Sequence, residues 1–195
     1  MAFLRSISKP EIVPLVTGEG VFLREPQLAD FAEWAHLREE SRDFLVPWEP
    51  TWPVDELTKG AYRRRIRRYQ REMREDRAYP FFICREGDGA LVGGCTLSNV
   101  HRGVQQFCTL GYWAGAPFAG QGYITRAVRA LIPYVFEELK LHRLQASTLP
   151  ENQRSQAVLR RCGFREEGYA RGLLRINGDW RDHVQFAILR DDPRM

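Results

Sequence analysis

The sequence predicts a single mixed α/β domain, in which helices flank a mostly antiparallel central sheet. Runs rich in β-branched and aromatic residues alternate with segments whose apolar residues recur every three or four positions. Two turn signals, at Glu86–Gly89 and at Asn177-Gly178, each join a pair of strand-like runs as a hairpin. The predicted order is strand, two helices, three antiparallel strands, helix, strand, helix and hairpin.

Composition narrows the class of protein. The chain has 195 residues and a net charge of +4, and arginine supplies nearly all of the positive charge. No apolar run is long enough for a membrane helix, and the N-terminus does not resemble a signal peptide, so we expect a cytoplasmic protein with no membrane partner. The cysteines lack C-x-x-C spacing, so we expect buried thiols and no metal site. They are Cys84, Cys95, Cys108 and Cys162.

The first quarter of the chain is expected to begin as an arm. Residues 1–19 have no clear period and contain two prolines, whereas residues 20–195 form the predicted domain. A strand is expected over residues 21–25, and an apolar stripe predicts a helix from about residue 28 to residue 40. The loop over residues 44–53 holds three prolines and two tryptophans, so we expect no regular structure there.

An arginine-rich helix is predicted next, capped by Asp55. Seven arginines within residues 63–74 surround an apolar stripe. Two interpretations of the arginines stay open. They are a solvated face that keeps the domain soluble, or a footprint for RNA or for an acidic partner surface.

The middle of the chain predicts the sheet. Strands are expected over residues 79–85, 90–99 and 104–113, followed by a helix over residues 122–139. Pro133 lies inside that helix and should kink it or split off its last turns.

The last third adds a strand, a helix and a hairpin. The strand is expected over residues 142–148, and Asn152 can cap the helix that follows. Gly163 should end this helix in a left-handed conformation. Strands over residues 169–176 and 180–189 complete the prediction.

A glycine-bearing turn opens the helix at residue 122. Helix starts leave N–H groups unpaired and suit phosphate, and Gly120 and Gly122 would let a ligand approach the backbone. The spacing fits neither a Walker loop nor a dinucleotide fingerprint. The stretch instead resembles motif A of the Gcn5-related N-acetyltransferases (GNAT), Arg/Gln-x-x-Gly-x-Gly/Ala. Gly122 matches the motif, whereas Ala119 and Ile124 depart from it, so binding would rely more on backbone N–H groups.

A second stretch is more specific. It resembles motif B of the same superfamily, Asn-x-x-Ser, an apolar helix and Gly-Phe-x-x-Glu-Gly, at Asn152, Ser155, Gly163, Phe164, Glu167 and Gly168. Residues 44–50, 98–103 and 177–183 are similar to the RimJ/RimL-type branch of ribosomal-protein-alanine N-acetyltransferases. This resemblance implies a GNAT fold whose fourth and fifth strands splay apart to admit acetyl-CoA. Arg126 departs from it, because the branch commonly has an acidic residue there.

The resemblance also implies how acetyl-CoA is held. Backbone groups at the end of the 104–113 strand would bind the pantetheine arm, and the glycine turn would hold the pyrophosphate. A backbone N–H of the same strand would stabilise the oxyanion, aimed by a splay or bulge near Leu110. The implied cofactor-binding residues are Tyr112, Trp113, Ala114, Ala119, Gly120, Gln121, Gly122, Tyr123, Ile124, Thr125, Asn152 and Ser155.

Two catalytic residues follow from the resemblance. Ser155 would hydrogen-bond or protonate the departing thiolate, although a purely local backbone bond stays open. Glu49 is the candidate base, and Trp48 and Trp52 are candidate walls of the substrate slot. A solvated Glu49, and tryptophans that only pack beneath the loop, stay open.

The expected reaction moves the acetyl group of acetyl-CoA to a primary amine by direct attack through a tetrahedral intermediate. The expected acceptor is the α-amine of an N-terminal alanine in a protein, most simply a ribosomal one. Two alternatives stay open: a small amine such as an aminoglycoside or polyamine, and a non-catalytic, acetyl-CoA-bound factor that contacts ribosomes or RNA through the arginine helix. A monomer and a homodimer fit the sequence equally.

Overall fold

The computed structural model describes residues 14–193 of the chain. The strands are β1 (Val16–Gly18), β2 (Val21–Arg24), β3 (Tyr79–Arg85), β4 (Leu91–His101), β5 (Phe107–Ala114), β6 (Arg143–Thr148), β7 (Arg165–Ile176) and β8 (Asp179–Leu189). They form one sheet in the order β1-β2-β3-β4-β5-β6-β8-β7. Neighbouring strands are antiparallel except β5 and β6, which are parallel.

Helices cover both faces of this sheet. They are α1 (Phe31–Glu40), α2 (Arg42–Leu45), α3 (Lys59–Arg74), α4 (Tyr123–Pro133) and α5 (Gln153–Arg161). Helices α4 and α5 pack on one face, and α1 and α3 pack on the other. Within residues 14–193, no helix combines the length and the apolar character needed to cross a membrane.

Each face has its own buried core. Leu131 of α4, Leu144 of β6 and Leu159 of α5 are fully buried together on one face. On the other face, Trp34 of α1 packs its ring 4.8 Å from that of Tyr62 in α3. The mixed α/β fold with helices on both sides of a mostly antiparallel sheet confirms the predicted class.

Strands β5 and β6 separate halfway along their length. They pair only where residues 107–109 of β5 face residues 143–145 of β6. Beyond that point β5 pairs with β4 alone, and β6 pairs with β8 through residue 148. A wedge-shaped gap therefore opens after Thr109 and Gln145. This is the predicted splay of the fourth and fifth strands, which are numbered one higher here because β1 precedes them.

Strand β1 lies inside the segment expected to be an arm. Val16–Gly18 pairs antiparallel with β2 through a tight turn at Glu19-Gly20, where Gly20 has φ +67°. The missed signal was the Gly-x-Gly spacing of that turn, which glycine makes possible at positive φ. The rest of the expected arm, residues 1–13, lies outside the described residues.

Two local predictions were wrong. Thr58, not Asp55, caps α3, because its hydroxyl accepts the backbone N–H of Ala61 at 3.2 Å. The proline-rich loop also begins with regular turns, α2 and the 3₁₀ turn Val46–Trp48. Pro47 is tolerated there because the first residues of a helical turn need no N–H donor.

Two other local predictions were confirmed. Helix α4 ends at Pro133 and continues as a π-helical turn over Tyr134–Glu138, so the proline splits off the last turns as expected. Asn177 and Gly178 have φ values of +45° and +95° and close the β7–β8 hairpin. Positive φ at both central residues is the geometry of a type I′ turn.

Candidate active site

One edge of the β5–β6 gap is a free backbone edge. Gly115 donates its N–H to Val92 O at 2.9 Å, which places that pair in the β4–β5 ladder. Ladder bonds alternate along an antiparallel pair, so Trp113 also points its backbone groups at β4. The backbone N–H and C=O groups of Leu110, Tyr112 and Ala114 therefore point into the gap. Of the three residues predicted to offer backbone groups, Tyr112 and Ala114 are therefore the two that face it.

The β-bulge lies in β4, between Ser98 and His101, and not near Leu110. The β4–β5 register shifts between Ser98 and His101, so the extra residue is on β4. Asn99 within this bulge has φ +51°. The opening near Leu110 is thus a splay between β5 and β6, with regular pairing to β4 beside it.

The glycine turn forms an open cradle at the start of α4. Gly120 and Gly122 have φ values of +76° and +81°, and a Cβ at either position would meet no atom within 4 Å. Gly122 is the N-cap of α4, and no side chain caps the helix there. The first amides of α4 therefore remain available to an anionic ligand.

Neighbouring side chains support this turn without filling it. Gln121 folds back and donates from Nε2 to Pro117 O at 2.7 Å. The Arg126 guanidinium lies 4.7 Å from the centre of the Tyr123 ring, which adds a positive charge beside the first turn of α4. The charge reversal noted at Arg126 therefore favours an anion at this end of the gap.

A pair of hydroxyl groups joins β5 to α5. Tyr112 Oη and Ser155 Oγ are 2.8 Å apart, and Tyr112 also donates to Ser155 O at 3.2 Å. Asn152 caps α5 by accepting the Ser155 N–H at its Oδ1, 3.0 Å away. Burial raises the pKa of Tyr112 well above its ordinary value, while its hydrogen bond to Ser155 acts in the opposite direction. Tyr112 is thus a neutral hydroxyl at physiological pH.

A second cluster lies on the other face of β5. Arg38 of α1 is buried, and its guanidinium donates to both carboxylate oxygens of Glu49 at 2.7 and 2.6 Å. Trp52 donates its indole N–H to Glu49 Oε2 at 2.7 Å. The guanidinium also lies 4.2 Å from the Trp52 ring and 5.0 Å from the Trp113 ring. Arg38 thereby links the proline-rich loop to β5.

Two glycines of β4 make room for Trp113. A Cβ on Gly94 would lie 2.7 Å from Trp113 Nε1, and a Cβ on Gly93 would lie 2.2 Å from Trp113 O. A larger residue at position 94 would displace the Trp113 indole, and one at position 93 would displace the backbone of β5. Sequence reasoning overlooked Arg38, Gly93 and Gly94, although a glycine pair inside a strand often marks a close approach.

The side chains of consecutive residues of β5 therefore lie on opposite faces of the sheet beside the gap. Tyr112 meets Ser155 on the face covered by α4 and α5, whereas Trp113 meets Arg38 on the face covered by α1 and α3. Side chains alternate across a strand, so this division follows from the strand itself. Ser155 and Glu49, the two predicted catalytic residues, consequently approach the gap from opposite sides.

The proline-rich loop is held by the far hairpin as well. The Asn177 N–H donates to Glu49 O at 2.9 Å, which joins this loop to the β7–β8 turn. Trp48, the other predicted wall, is 38% exposed and does not join the Arg38 stack.

A groove of about 370 Å³ lies in the chain's last third, lined by Pro150, Glu151, Tyr169, Trp180, Arg181 and Asp182.

The thiols lie in the interior. All four cysteines are free and buried, and burial raises the pKa of Cys84 and of Cys162 to about 11. Across residues 14–193, no three His, Cys, Asp or Glu side chains come together as a metal site would require.

Comparisons with known proteins place this chain among acetyltransferases. Residues 21–165 match the family described as "Acetyltransferase (GNAT) domain". The probable N-acetyltransferase YjcK of Bacillus subtilis (strain 168) is 36% identical over 178 residues, covering 91% of this chain and 98% of that protein. The ribosomal protein uS5-alanine N-acetyltransferase of Escherichia coli (strain K12) is 35% identical over 153 residues, covering 78% of this chain and 79% of that protein.

A solved structure extends the likeness to three dimensions. Mycobacterium smegmatis RimJ in complex with CoA-disulfide superimposes with a TM-score of 0.84 at 33% sequence identity. The match covers 92% of this chain and 87% of that one.

Proposed function

Because this chain belongs to the GNAT family of acetyltransferases, we propose that its acceptor is the α-amine of an N-terminal alanine in a protein, most simply a ribosomal one. The reaction class is that of an acetyl-CoA-dependent N-acetyltransferase, which the family and the relatives share. The Escherichia coli relative is a ribosomal protein uS5-alanine N-acetyltransferase, which supports the choice of acceptor. We propose a cytoplasmic location on the same grounds.

The observation that carries the proposal is the β5–β6 gap, with hydroxyl groups on one face and an Arg–Glu pair on the other. Its free edge at Leu110, Tyr112 and Ala114 suits the amide-rich pantetheine arm of coenzyme A. The open turn around Gly120 and Gly122 suits the pyrophosphate, since it presents helix-start amides and no side chain. Bound acetyl-CoA supplies the activated thioester carbonyl.

The β5 edge would also stabilise charge during acyl transfer. The backbone N–H groups that face the gap are fixed by the β4 ladder, so they need not reorganise when negative charge develops on the carbonyl oxygen. Leu110 and Tyr112 are the residues in position to donate. This argues for the oxyanion role assigned to the strand from its sequence.

The hydroxyl pair would serve the leaving group. Tyr112 and Ser155 carry two hydroxyl protons, and Ser155 O accepts from one of these hydroxyls. The remaining proton can turn from the inter-hydroxyl bond towards a sulphur in the gap. Because the pKa of Tyr112 is raised by burial, the pair would stabilise a departing thiolate mainly by hydrogen bonding.

The Arg–Glu pair would serve the acceptor side. A carboxylate offers about four lone-pair sites, and Arg38 and Trp52 occupy three of those of Glu49. One site remains for an amine or for a bridging water. An α-amine has a pKa near ~8, against ~10.4 for lysine, so roughly a tenth is already neutral at pH 7. A carboxylate with one free site is therefore a sufficient proton acceptor for this substrate.

The same pair argues against a polyamine or aminoglycoside. Polycations are bound by carboxylates with uncompensated charge, and the charge of Glu49 is balanced by a buried guanidinium. A terminal residue of a peptide carries one amine and needs no such acidic pocket. This favours a peptide acceptor over the small amines.

A thiol-release assay tests the proposal. Peptides that differ only in their first residue should react in an order led by alanine, and the same peptide with a blocked N-terminus should be inert. Spermidine and an aminoglycoside serve as the competing acceptors. Faster turnover of either amine than of every peptide would replace the proposed acceptor while leaving the acetyltransferase activity in place.

A further inference from the structure

Helix α3 carries two different sets of arginines. Arg64 pairs with Asp55, Arg65 pairs with Glu56, and Arg68 lies 3.8 Å from Glu72. The other four have no acidic side chain within ion-pair distance anywhere in residues 14–193. They are Arg63, Arg67, Arg71 and Arg74, and all four are exposed.

The unpaired arginines form a line. Their spacing of four, four and three residues keeps them on one side of the helix, and Lys59 extends the line by one more turn. With a rise of 1.5 Å per residue, the five cations span about 22 Å at intervals of about 6 Å. We call Lys59, Arg63, Arg67, Arg71 and Arg74 the cationic stripe.

The rest of the helix limits which partner the stripe fits. Tyr62 and Ile66 are buried in the core, with Tyr69 packed beside them. The stripe therefore has no apolar side chains to insert into a membrane interface, which amphipathic membrane helices require. It also lacks the apolar centre of a protein–protein interface. A regular row of phosphates is the partner left, and guanidinium groups bind phosphate in a two-point fashion.

A groove continues from the C-terminal end of the stripe. It encloses about 410 Å³, and Arg71 belongs both to the groove wall and to the stripe. The β4 bulge turns Asn99 outward at φ +51°, and exposed His101 stacks on Phe107 with ring centres 4.6 Å apart. Glu72, which also lines the groove, is turned towards Arg68.

These observations together point to RNA. We propose that the cationic stripe binds the phosphate backbone of an RNA stem, and that the adjoining groove takes an unpaired nucleotide beside His101 and Asn99. Unpaired bases stack on aromatic side chains and hydrogen-bond to amides, and such bases are displayed by RNA loops and bulges. The inference concerns a surface separate from the β5–β6 gap and does not rest on the proposed acceptor.

The experiment compares two matched double variants by fluorescence anisotropy with a stem-loop RNA. Arg63→Gln/Arg67→Gln removes two cations of the stripe, and Arg64→Gln/Arg68→Gln removes the same charge from the paired set one residue along. Each lost phosphate contact flattens the plot of log affinity against log salt by about one. We expect the stripe variant to flatten this slope by about two and the control variant to change it by less than half as much.

A second comparison tests the groove. His101→Ala should remove the preference of the protein for a stem-loop over a fully paired RNA duplex of the same length, because the stacking partner is lost. Binding to the duplex should stay within about twofold of the original value. Equal affinity of the unaltered protein for both RNAs would overturn the groove assignment.

Further probes separate the competing partners. A DNA duplex, vesicles containing anionic lipid and a poly-glutamate peptide are tested at the same salt concentrations. The proposal fails if the protein binds none of the RNAs, if both double variants lose affinity equally, or if any other probe binds more tightly than the stem-loop. Turnover with a short peptide should be unchanged in both double variants, which verifies folding and keeps this test separate from that of the acetyl acceptor.

Discussion

Arg38 and Glu49 meet through two parallel hydrogen bonds of 2.7 and 2.6 Å, although they belong to helix α1 and to the proline-rich loop. The side chain of Arg38 is only 6% exposed and that of Glu49 is 21% exposed. Charge-assisted bonds of this geometry are among the stronger polar interactions in proteins. The position of the candidate base therefore depends on a residue of a different element.

Arg38→Lys tests this dependence, since lysine keeps the charge but cannot form the fork or stack between two indoles. We expect kcat/KM for peptide to fall by about tenfold or more, and the free energy of unfolding to fall by about 1–3 kcal/mol. Steady-state kinetics and urea denaturation measure the two effects. Arg160→Lys is the control, because its pair with Glu166 is exposed and should change stability by under about 0.5 kcal/mol. Equal losses in the two variants would refute the special role of Arg38.

Ser155→Ala and Tyr112→Phe test the leaving-group side. Each removes one hydroxyl from the same pair, so each should lower kcat by about tenfold or more with little change in the KM for peptide. The double variant should be hardly worse than either single one, because the two groups act together. An unaltered kcat in Ser155→Ala would show that the serine hydroxyl only bonds to the local backbone in the first turn of α5.

Gly122→Val tests the turn before α4. Its φ of +81° disfavours any residue with a branched Cβ, and the added side chain would enter the space offered to the pyrophosphate. We expect the dissociation constant for acetyl-CoA to rise by about 100-fold, measured by calorimetry. Gly87→Val carries similar strain at φ +98° in the β3–β4 turn and should leave acetyl-CoA affinity unchanged. Comparable weakening in both variants would assign the effect to backbone strain alone.

The Asp76–Arg102 pair predicts a pH-dependent contribution to stability. Hydrogen bonds from Arg102, assisted by Tyr79, hold the pKa of Asp76 below its ordinary 3.8. A carboxyl whose pKa is lowered by folding stabilises the folded state above its unfolded pKa, and this contribution is lost as the pH falls towards the lowered value.

Asp76→Asn should therefore reduce stability at pH 7 by about 0.5 kcal/mol, as for other exposed pairs. The deficit should persist down to about pH 5 and shrink as the pH falls through 3.8. Asparagine also tolerates the φ of +53° at this position, so backbone strain should not contribute. Denaturant unfolding at a series of pH values measures the difference, and a deficit that grows below pH 5 would contradict the assigned sign.

Much of the fold follows from local chemistry that the sequence displays. Asn152 was expected to cap α5 and does so with an acceptor 3.0 Å from the Ser155 N–H. Gly163 ends that helix at φ +87°, and Pro133 ends α4, because each residue has a backbone property that neighbours cannot override. Signals of this kind involve only a few residues and survive folding unchanged.

The contacts of the candidate site depended on distant segments and were harder to predict. Arg38 follows Trp34 by four residues, so the stripe of α1 that faces the core continues onto a charged residue. That pattern was visible in the sequence. The partners of Arg38, however, come from the proline-rich loop and from β5, and no sequence signal shows which side chains of β5 face α1. For Tyr112, the sequence predicted only that its backbone binds the pantetheine arm. The contact of its hydroxyl with Ser155 is visible only in the structure.

The bond from the Asn177 amide to Glu49 O has a consequence for motion. It joins the proline-rich loop to the β7–β8 turn, so we expect the two segments to open together. The rate at which the Asn177 amide proton exchanges with deuterium then reports how often the loop and the hairpin separate. A bound acceptor that bridges the loop and the hairpin should slow this exchange, whereas coenzyme A alone should leave it nearly unaltered.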